Sequence, residues 1–142
     1  MTTAPVTLAC LVDAPAKRVW HILTNTECMK EWYFPALLQF KPVVGFVFRF
    51  VDDGSSYQKE WIVTEVLPGK KLSHTWSYKG YDGTSLVTFE LLAAGDKTKL
   101  ILTHTGLESF PNDPHFARRR FEDGWERIIN ANFRMLAARH NL

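Results

Sequence analysis

Leu72-Ser73-His74-Thr75-Trp76-Ser77-Tyr78 is the stretch on which the reading of the fold turns. Large side chains occupy every second position with small hydroxyl residues between them, the pattern of a strand that buries one face. The same period extends in both directions. Upstream, Tyr57 to Val66 puts Lys59, Trp61 and Val63 on one face and Glu60, Ile62 and Thr64 on the other, while Phe46, Phe48 and Phe50 alternate with Val47, Arg49 and Val51. Downstream, Val87, Phe89 and Leu91 alternate with Thr88 and Glu90, and Leu100, Leu102 and His104 with Ile101 and Thr103. Turn residues separate the runs at 52–56, Pro68-Gly69, Asp82-Gly83 and Gly95-Asp96. Consecutive strands joined by short turns predict an antiparallel meander.

The flanks read differently. Residues 6–12 form a β-rich run ending at Asp13-Ala14-Pro15, where Asp13 is the expected N-cap of a helix that places Val19, Ile22 and Leu23 on one face. A second short helix over residues 26–32 carries Cys28, Met29 and Trp32 and stops before Pro35. At the other end, Asp113-Pro114 supplies an N-cap and N1 pair for a long helix to about Arg139, with Phe121, Trp125, Ile128, Ile129, Phe133 and Leu136 sharing one face. Such a helix needs an apolar floor, and the sheet provides one. The expected order is strand, two helices, about six strands and one long helix, an α+β architecture.

Length and composition set the outer limits. With 142 residues, 46% hydrophobic and 13% aromatic, the chain suits a single domain spanning residues 1–142 and excludes a disordered segment. A formal charge of +2 is too small for the electrostatic footprint of a polyanion binder, so no nucleic-acid partner is expected. No run of eighteen apolar residues exists, which argues against membrane insertion. Cys10 and Cys28 show no framework spacing, and no leader pattern precedes them, so a cytoplasmic location is the expectation.

The inward face of the meander collects Phe48, Phe50, Trp61, Trp76, Phe89 and Leu102. Opposite them stand Phe121, Trp125, Ile129 and Phe133 of the terminal helix. Large rings on a concave sheet can leave a gap, and a gap lined by apolar groups with a few polar ones is how small-molecule pockets are built. A packed core is the plain alternative. His74 and His104 share the inward phase and are the polar candidates for orienting a ligand; a hydrogen-bonded core histidine is the competing reading. Lys59 is expected to lie along apolar surface with its ammonium in solvent, and Tyr57 and Tyr78 to stand at the mouth. Gly124 interrupts a helix at a cost of about 1 kcal/mol relative to alanine, for which close packing on a strand is preferred over an opening beside the pocket.

Several chemistries leave no trace. The histidines lack metal-ligand spacing and neither cysteine has a Cys-x-x-Cys partner. There is no phosphate-cradling glycine loop and no nucleophile elbow, so no metal, cofactor or catalytic residue is assigned and enzymatic activity is unsupported. Arg118-Arg119-Arg120, followed by Glu122, Asp123 and Glu126, reads as a salt-bridged helix surface rather than an anion site.

Segments in this order resemble the family of activator of heat-shock protein 90 ATPase homologues, within the START-like (SRPBCC, polyketide cyclase and lipid-transfer-like) superfamily. The residues that carry the resemblance are Ala14-Pro15, Val19-Trp20, Leu23-Thr24, Trp32, and Val44-Gly45 before Phe48. They continue with Glu65-Val66-Leu67-Pro68, Lys71-Leu72, Thr75-Trp76, the strand Val87 to Leu91, the run Thr98 to His104, and Gly124-Trp125. The resemblance implies a helix-grip fold, Bet v-like, in which a curved antiparallel sheet wraps a long C-terminal helix around a cavity for hydrophobic molecules. It brings no catalytic set. Two positions depart from the family pattern: Phe46 follows Gly45 where a second glycine is usual, which would narrow the cavity, and Thr24-Asn25-Thr26 replaces Thr-Asp-Pro.

The leading expectation is therefore a binder of a small hydrophobic or aromatic molecule. A chaperone-activator-like interaction module in the stress response is the alternative, and a cyclase- or hydrolase-like enzyme using the inward histidines is a further one. The co-chaperones that name the family also carry a separate N-terminal domain that this sequence does not show, which keeps a chaperone partner second. No oligomeric state follows from the residues; a homodimer is compatible with them.

Overall fold

Alternate-residue patterning and glycine turns pair residues 6–12 and 47–105 into one six-stranded antiparallel sheet of order β1-β6-β5-β4-β3-β2. The computed structural model describes residues 4–140. Its strands are β1 (Val6–Val12), β2 (Val47–Arg49), β3 (Glu60–Leu67), β4 (Lys71–Trp76), β5 (Ser85–Ala94) and β6 (Lys97–Thr105). Helices α1 (Ala16–Thr24) and α2 (Thr26–Trp32) connect β1 to β2. Five strands follow α2, rather than about six. β3 to β6 form the meander, and β1 closes it by pairing with β6, Val6 opposite His104.

Register decides what faces inward. Val63 lies opposite His74, His74 opposite Val87, and Val87 opposite His104, so these four side chains form one buried row across the sheet. A neighbouring row sets Leu72 against Phe89 and Phe89 against Leu102. The pairing of β3 with β4 shifts between Val63 and Glu65, an irregularity of the kind that bends a strand and increases its twist. The resulting sheet is curved, and the C-terminal helix lies along it in a helix-grip α+β fold.

Three local expectations need correction. Pro15, not Asp13, occupies the N-cap of α1 and makes no side-chain cap, its carbonyl instead accepting the first helical N–H bonds. β3 begins at Glu60 rather than Tyr57; before it, only Lys59 makes an isolated bridge, to Tyr78. Asp113 does act as a cap, accepting from the backbone N–H of His115 at 2.8 Å, but over a separate 3-10 turn, Pro114–Phe116. The long helix starts afterwards, at Arg118.

That helix is not uniform. Arg118–Trp125 is α-helical, Glu126–Phe133 is wound as a π-helix, and Arg134–His140 returns to α. Bonding from i to i+5 widens the turn, so residues four apart stay in line instead of drifting round the helix. Trp125, Ile129 and Phe133 consequently all point at the sheet, and each is at most 2% exposed. Burying each such side chain stabilises the fold by roughly 1.5–3 kcal/mol. None of the described helices is long and apolar enough to cross a membrane.

Candidate functional site

Trp76 at the end of β4, Tyr78 just beyond it, and Phe121 and Trp125 of the terminal helix wall a cavity of about 330 Å³. Phe34, on the loop after α2, and Tyr57 close its sides, and exposed residues of the 53–55 loop and the helix form its mouth. The volume sits at the small end of the roughly 300–1,000 Å³ typical of small-molecule pockets.

Gly124 explains part of that space. A Cβ built on Gly124 meets nothing within 4 Å, and the residue lines the cavity. Close packing on a strand is thus not the reason for glycine here; the helix simply carries no side chain where the cavity widens. Phe46, expected to narrow the cavity, packs instead near Phe40, with ring centroids 6.2 Å apart, and is not part of the wall.

The two inward histidines are fully engaged elsewhere. His74 Nδ1 lies 2.7 Å from the Thr75 carbonyl, an acceptor, so Nδ1 carries the proton and donates; Nε2 then accepts from the Tyr33 hydroxyl at 3.0 Å. In His104 the assignment reverses. The Trp125 indole N–H donates to Nδ1 at 3.0 Å, leaving Nε2–H to donate to Ser85 Oγ at 2.7 Å, and the Ser85 hydroxyl donates onward to the Trp76 carbonyl at 2.9 Å. Burial pushes His74 down to about 4, against a smaller upward pull from its bond to Thr75. It pushes His104 down to about 3, with the His74 ring adding to the effect. Both are neutral at physiological pH, and among the described residues no buried side-chain N or O atom lacks a partner.

Of the residues read from the sequence as candidate ligand contacts, the structure brings Trp76, Phe121 and Trp125 together on the cavity wall. The others do not line it. Phe48, Trp61, Phe89, Leu102, Ile129 and Phe133 are filled core, none more than 1% exposed, and His74 and His104 are buried among them. Phe50 packs its ring 5.0 Å from Trp61. The physical reason is Tyr33, whose ring lies within 6.4 Å of those of Trp61, Trp76, Phe89 and Trp125 and occupies the space those side chains would otherwise surround. Tyr33 and Phe34 directly follow α2, and no periodicity points to them. Tyr57 and Tyr78 do stand at the cavity, as expected.

Lys59 departs from expectation. Its ammonium is not free in solvent but lies over the rings of Phe34 and Phe50, 5.2 and 5.4 Å from their centroids, on the cavity wall. Burial lowers its pKa, and Asp53 offsets this in part. Arg120 and Arg127 reach the same wall from the helix. His115 stacks flat on Tyr57 at 3.6 Å, and burial, then the nearby Arg120 charge, depress its pKa. Asp53 is held by the backbone N–H of Ser55 at 2.9 Å and by Gln58 Nε2 at 3.0 Å, which lower it to about 2. The site thus combines an aromatic floor with a charged mouth. Among the described residues no group of three or more acidic, histidine or cysteine side chains could hold a metal ion.

The family model described as Activator of Hsp90 ATPase homolog 1-like protein matches residues 13–137. The chain belongs to that family. No curated protein matches the sequence. Among solved structures, protein MLL2253 from Mesorhizobium loti is 26% identical, with a TM-score of 0.74 over 96% of this chain and 99% of that one. CalU16 from Micromonospora echinospora, 20% identical, superposes with a TM-score of 0.70 over 94% of this chain and 76% of that one. The Aha1 dimer from Colwellia psychrerythraea, 16% identical, does so with a TM-score of 0.70 over 90% and 92%. The last two likenesses establish the fold alone.

Proposed function

We propose that this member of the Activator of Hsp90 ATPase homolog 1-like family binds a small hydrophobic or aromatic molecule in the cavity between the curved sheet and the C-terminal helix. The observation that carries the reading is the 330 Å³ space bounded by Trp76, Phe121 and Trp125 and opened by Gly124. Flat apolar surface buried against such walls contributes about 25 cal/mol per Å², several kcal/mol for a bicyclic aromatic. The free, buried Cys10 and Cys28 favour a cytoplasmic setting.

The family description keeps a chaperone partner as the second reading, but the basic run that would serve it is divided. Arg118 pairs with Glu122 at 3.1 Å and Arg119 with Asp123 at 3.7 Å, while Arg120 lines the cavity.

The test is a screen of neutral aromatic compounds, 2-naphthol among them, by thermal shift and native mass spectrometry on the wild type and on Gly124→Leu. A leucine side chain at that position projects into the cavity without displacing any neighbour within 4 Å of its Cβ. Binding by the wild type that disappears in a folded Gly124→Leu variant supports the reading. Equal binding by both variants, or none by the wild type, overturns it.

A further inference from the structure

The cations at the cavity mouth are not paired in the way of their neighbours. Arg118 and Arg119 each find a carboxylate four residues on, Glu122 and Asp123. Arg120 has Gly124 at that position and Arg127 has Ala131; the acid within pairing reach of both along the helix, Asp123, three residues after Arg120 and four before Arg127, is taken by Arg119. Among the described residues, no ion pair within 4 Å involves Arg120, Arg127 or Lys59. Yet all three line one cavity.

Lys59 sharpens the point. Lys59 is half-buried and its ammonium lies over the faces of Phe34 and Phe50, within the field of Asp53, an environment in which a cation gains from an incoming anion more than it would in water. The single carboxylate on the wall, Asp53, is already engaged by Ser55 and Gln58 of its own loop. Three positive side chains on the wall face one negative one, and Asp113, which accepts from the Tyr57 hydroxyl at 3.3 Å, still leaves the mouth positive by one. The floor beneath is aromatic, and guanidinium groups match carboxylate geometry with paired N–H donors.

We propose that the ligand is amphipathic and anionic: a flat aromatic or apolar body against Trp76, Phe121 and Trp125, and a carboxylate at the mouth held by Arg120 and Arg127 with Lys59. This deepens the proposed function and rests on it. Site geometry supplies both halves, since the three cations and the three rings bound the same 330 Å³.

Calorimetric titration with 2-naphthoate and its neutral isostere 2-naphthamide separates the two readings. The wild type is expected to bind the carboxylate at least about tenfold more tightly than the amide, the worth of a charge-assisted hydrogen bond, with the preference shrinking as salt is raised. In Arg120→Gln/Arg127→Gln, built at two exposed positions so that folding is retained, the preference is expected to fall to about twofold or less, because carboxylate affinity drops by more than amide affinity. Equal affinities in the wild type overturn the anionic ligand and leave cavity binding intact. A carboxylate preference that survives both that double substitution and Lys59→Gln also overturns it, as does naphthoate binding retained by Gly124→Leu. Binding of neither compound overturns this proposal and the cavity reading together.

Discussion

The two ends of the interior are built from the same kinds of residue and end in opposite states. Toward α2 the space is full: Tyr33 stacks on Trp32 at 4.5 Å, and Trp61 stacks on His74 at 5.1 Å and on Trp76 at 4.2 Å. Toward residues 118–128 it is open, with Trp76, Phe121 and Trp125 as walls. The sheet contributes inward rings to both ends. The difference lies in what covers them. Trp32-Tyr33 brings two rings to one end, whereas Arg120, Gly124 and Arg127 bring to the other two long charged side chains at the mouth and a residue with no side chain at all. Aromatic content on a concave sheet therefore does not decide between core and pocket; the covering segment does. Trp125 belongs to both ends, its ring on the cavity wall and its N–H on His104.

The largest way to break this distinction is by truncation. Trp61 is 0% exposed, and Trp61→Ala is expected to cost about 3–5 kcal/mol, because the lost contacts leave a cavity that rigid neighbours cannot refill. Phe121, already facing empty space on one side, has fewer contacts to lose, so Phe121→Ala is expected to cost less. Urea unfolding of the two variants measures the contrast; equal losses would mean that the two ends are packed alike.

The buried row of the sheet also carries a pH signature of its own, from two imidazoles shut away from water. His74 and His104 are depressed to about 4 and about 3 in the folded protein, against about 6.5 for an unperturbed imidazole. Above pH 6.5 both states hold the rings neutral and stability is complete. As pH falls from 6.5 towards 4, the unfolded chain takes up protons that the folded chain refuses, so stability drops by roughly 1.4 kcal/mol per pH unit for each histidine. Unfolding free energies measured between pH 7 and pH 5 test this, and His74→Gln should halve the slope contributed by the pair. A flat profile would place both imidazoles in contact with water, and half the slope one of them.

Alternation was enough to read the sheet, since a strand has only two faces: Trp61, His74, Phe89, Leu102 and His104 all point inward as their spacing requires. The helix face was equally legible at Phe121, Trp125, Ile129 and Phe133, although no pattern announced the π-wound turn that keeps them aligned. The site was less so. Tyr33 follows α2 in a non-repeating segment, and where such a segment lands depends on tertiary contacts that local periodicity does not encode. Arg120 looked like its neighbours in a basic run; the one available signal was the glycine four residues on, where Arg118 and Arg119 have acids.

That glycine yields the smallest and most discriminating measurement. Gly124→Ala removes backbone entropy from the unfolded chain and adds a methyl group to a helix interior, a change worth about 0.5–1 kcal/mol in favour of the folded state when the site tolerates it. The cavity tolerates it, because the new Cβ has no neighbour within 4 Å. Gly83 shows what intolerance looks like: its φ of +101° excludes other residues, and a Cβ there would run into the Ser109 carbonyl. A rise in melting temperature for Gly124→Ala is thus expected, measurable by calorimetry. A fall would mean that the helix backbone presses on something at that point, and with no gap beside Gly124 the open end would be as full as the end beneath Tyr33.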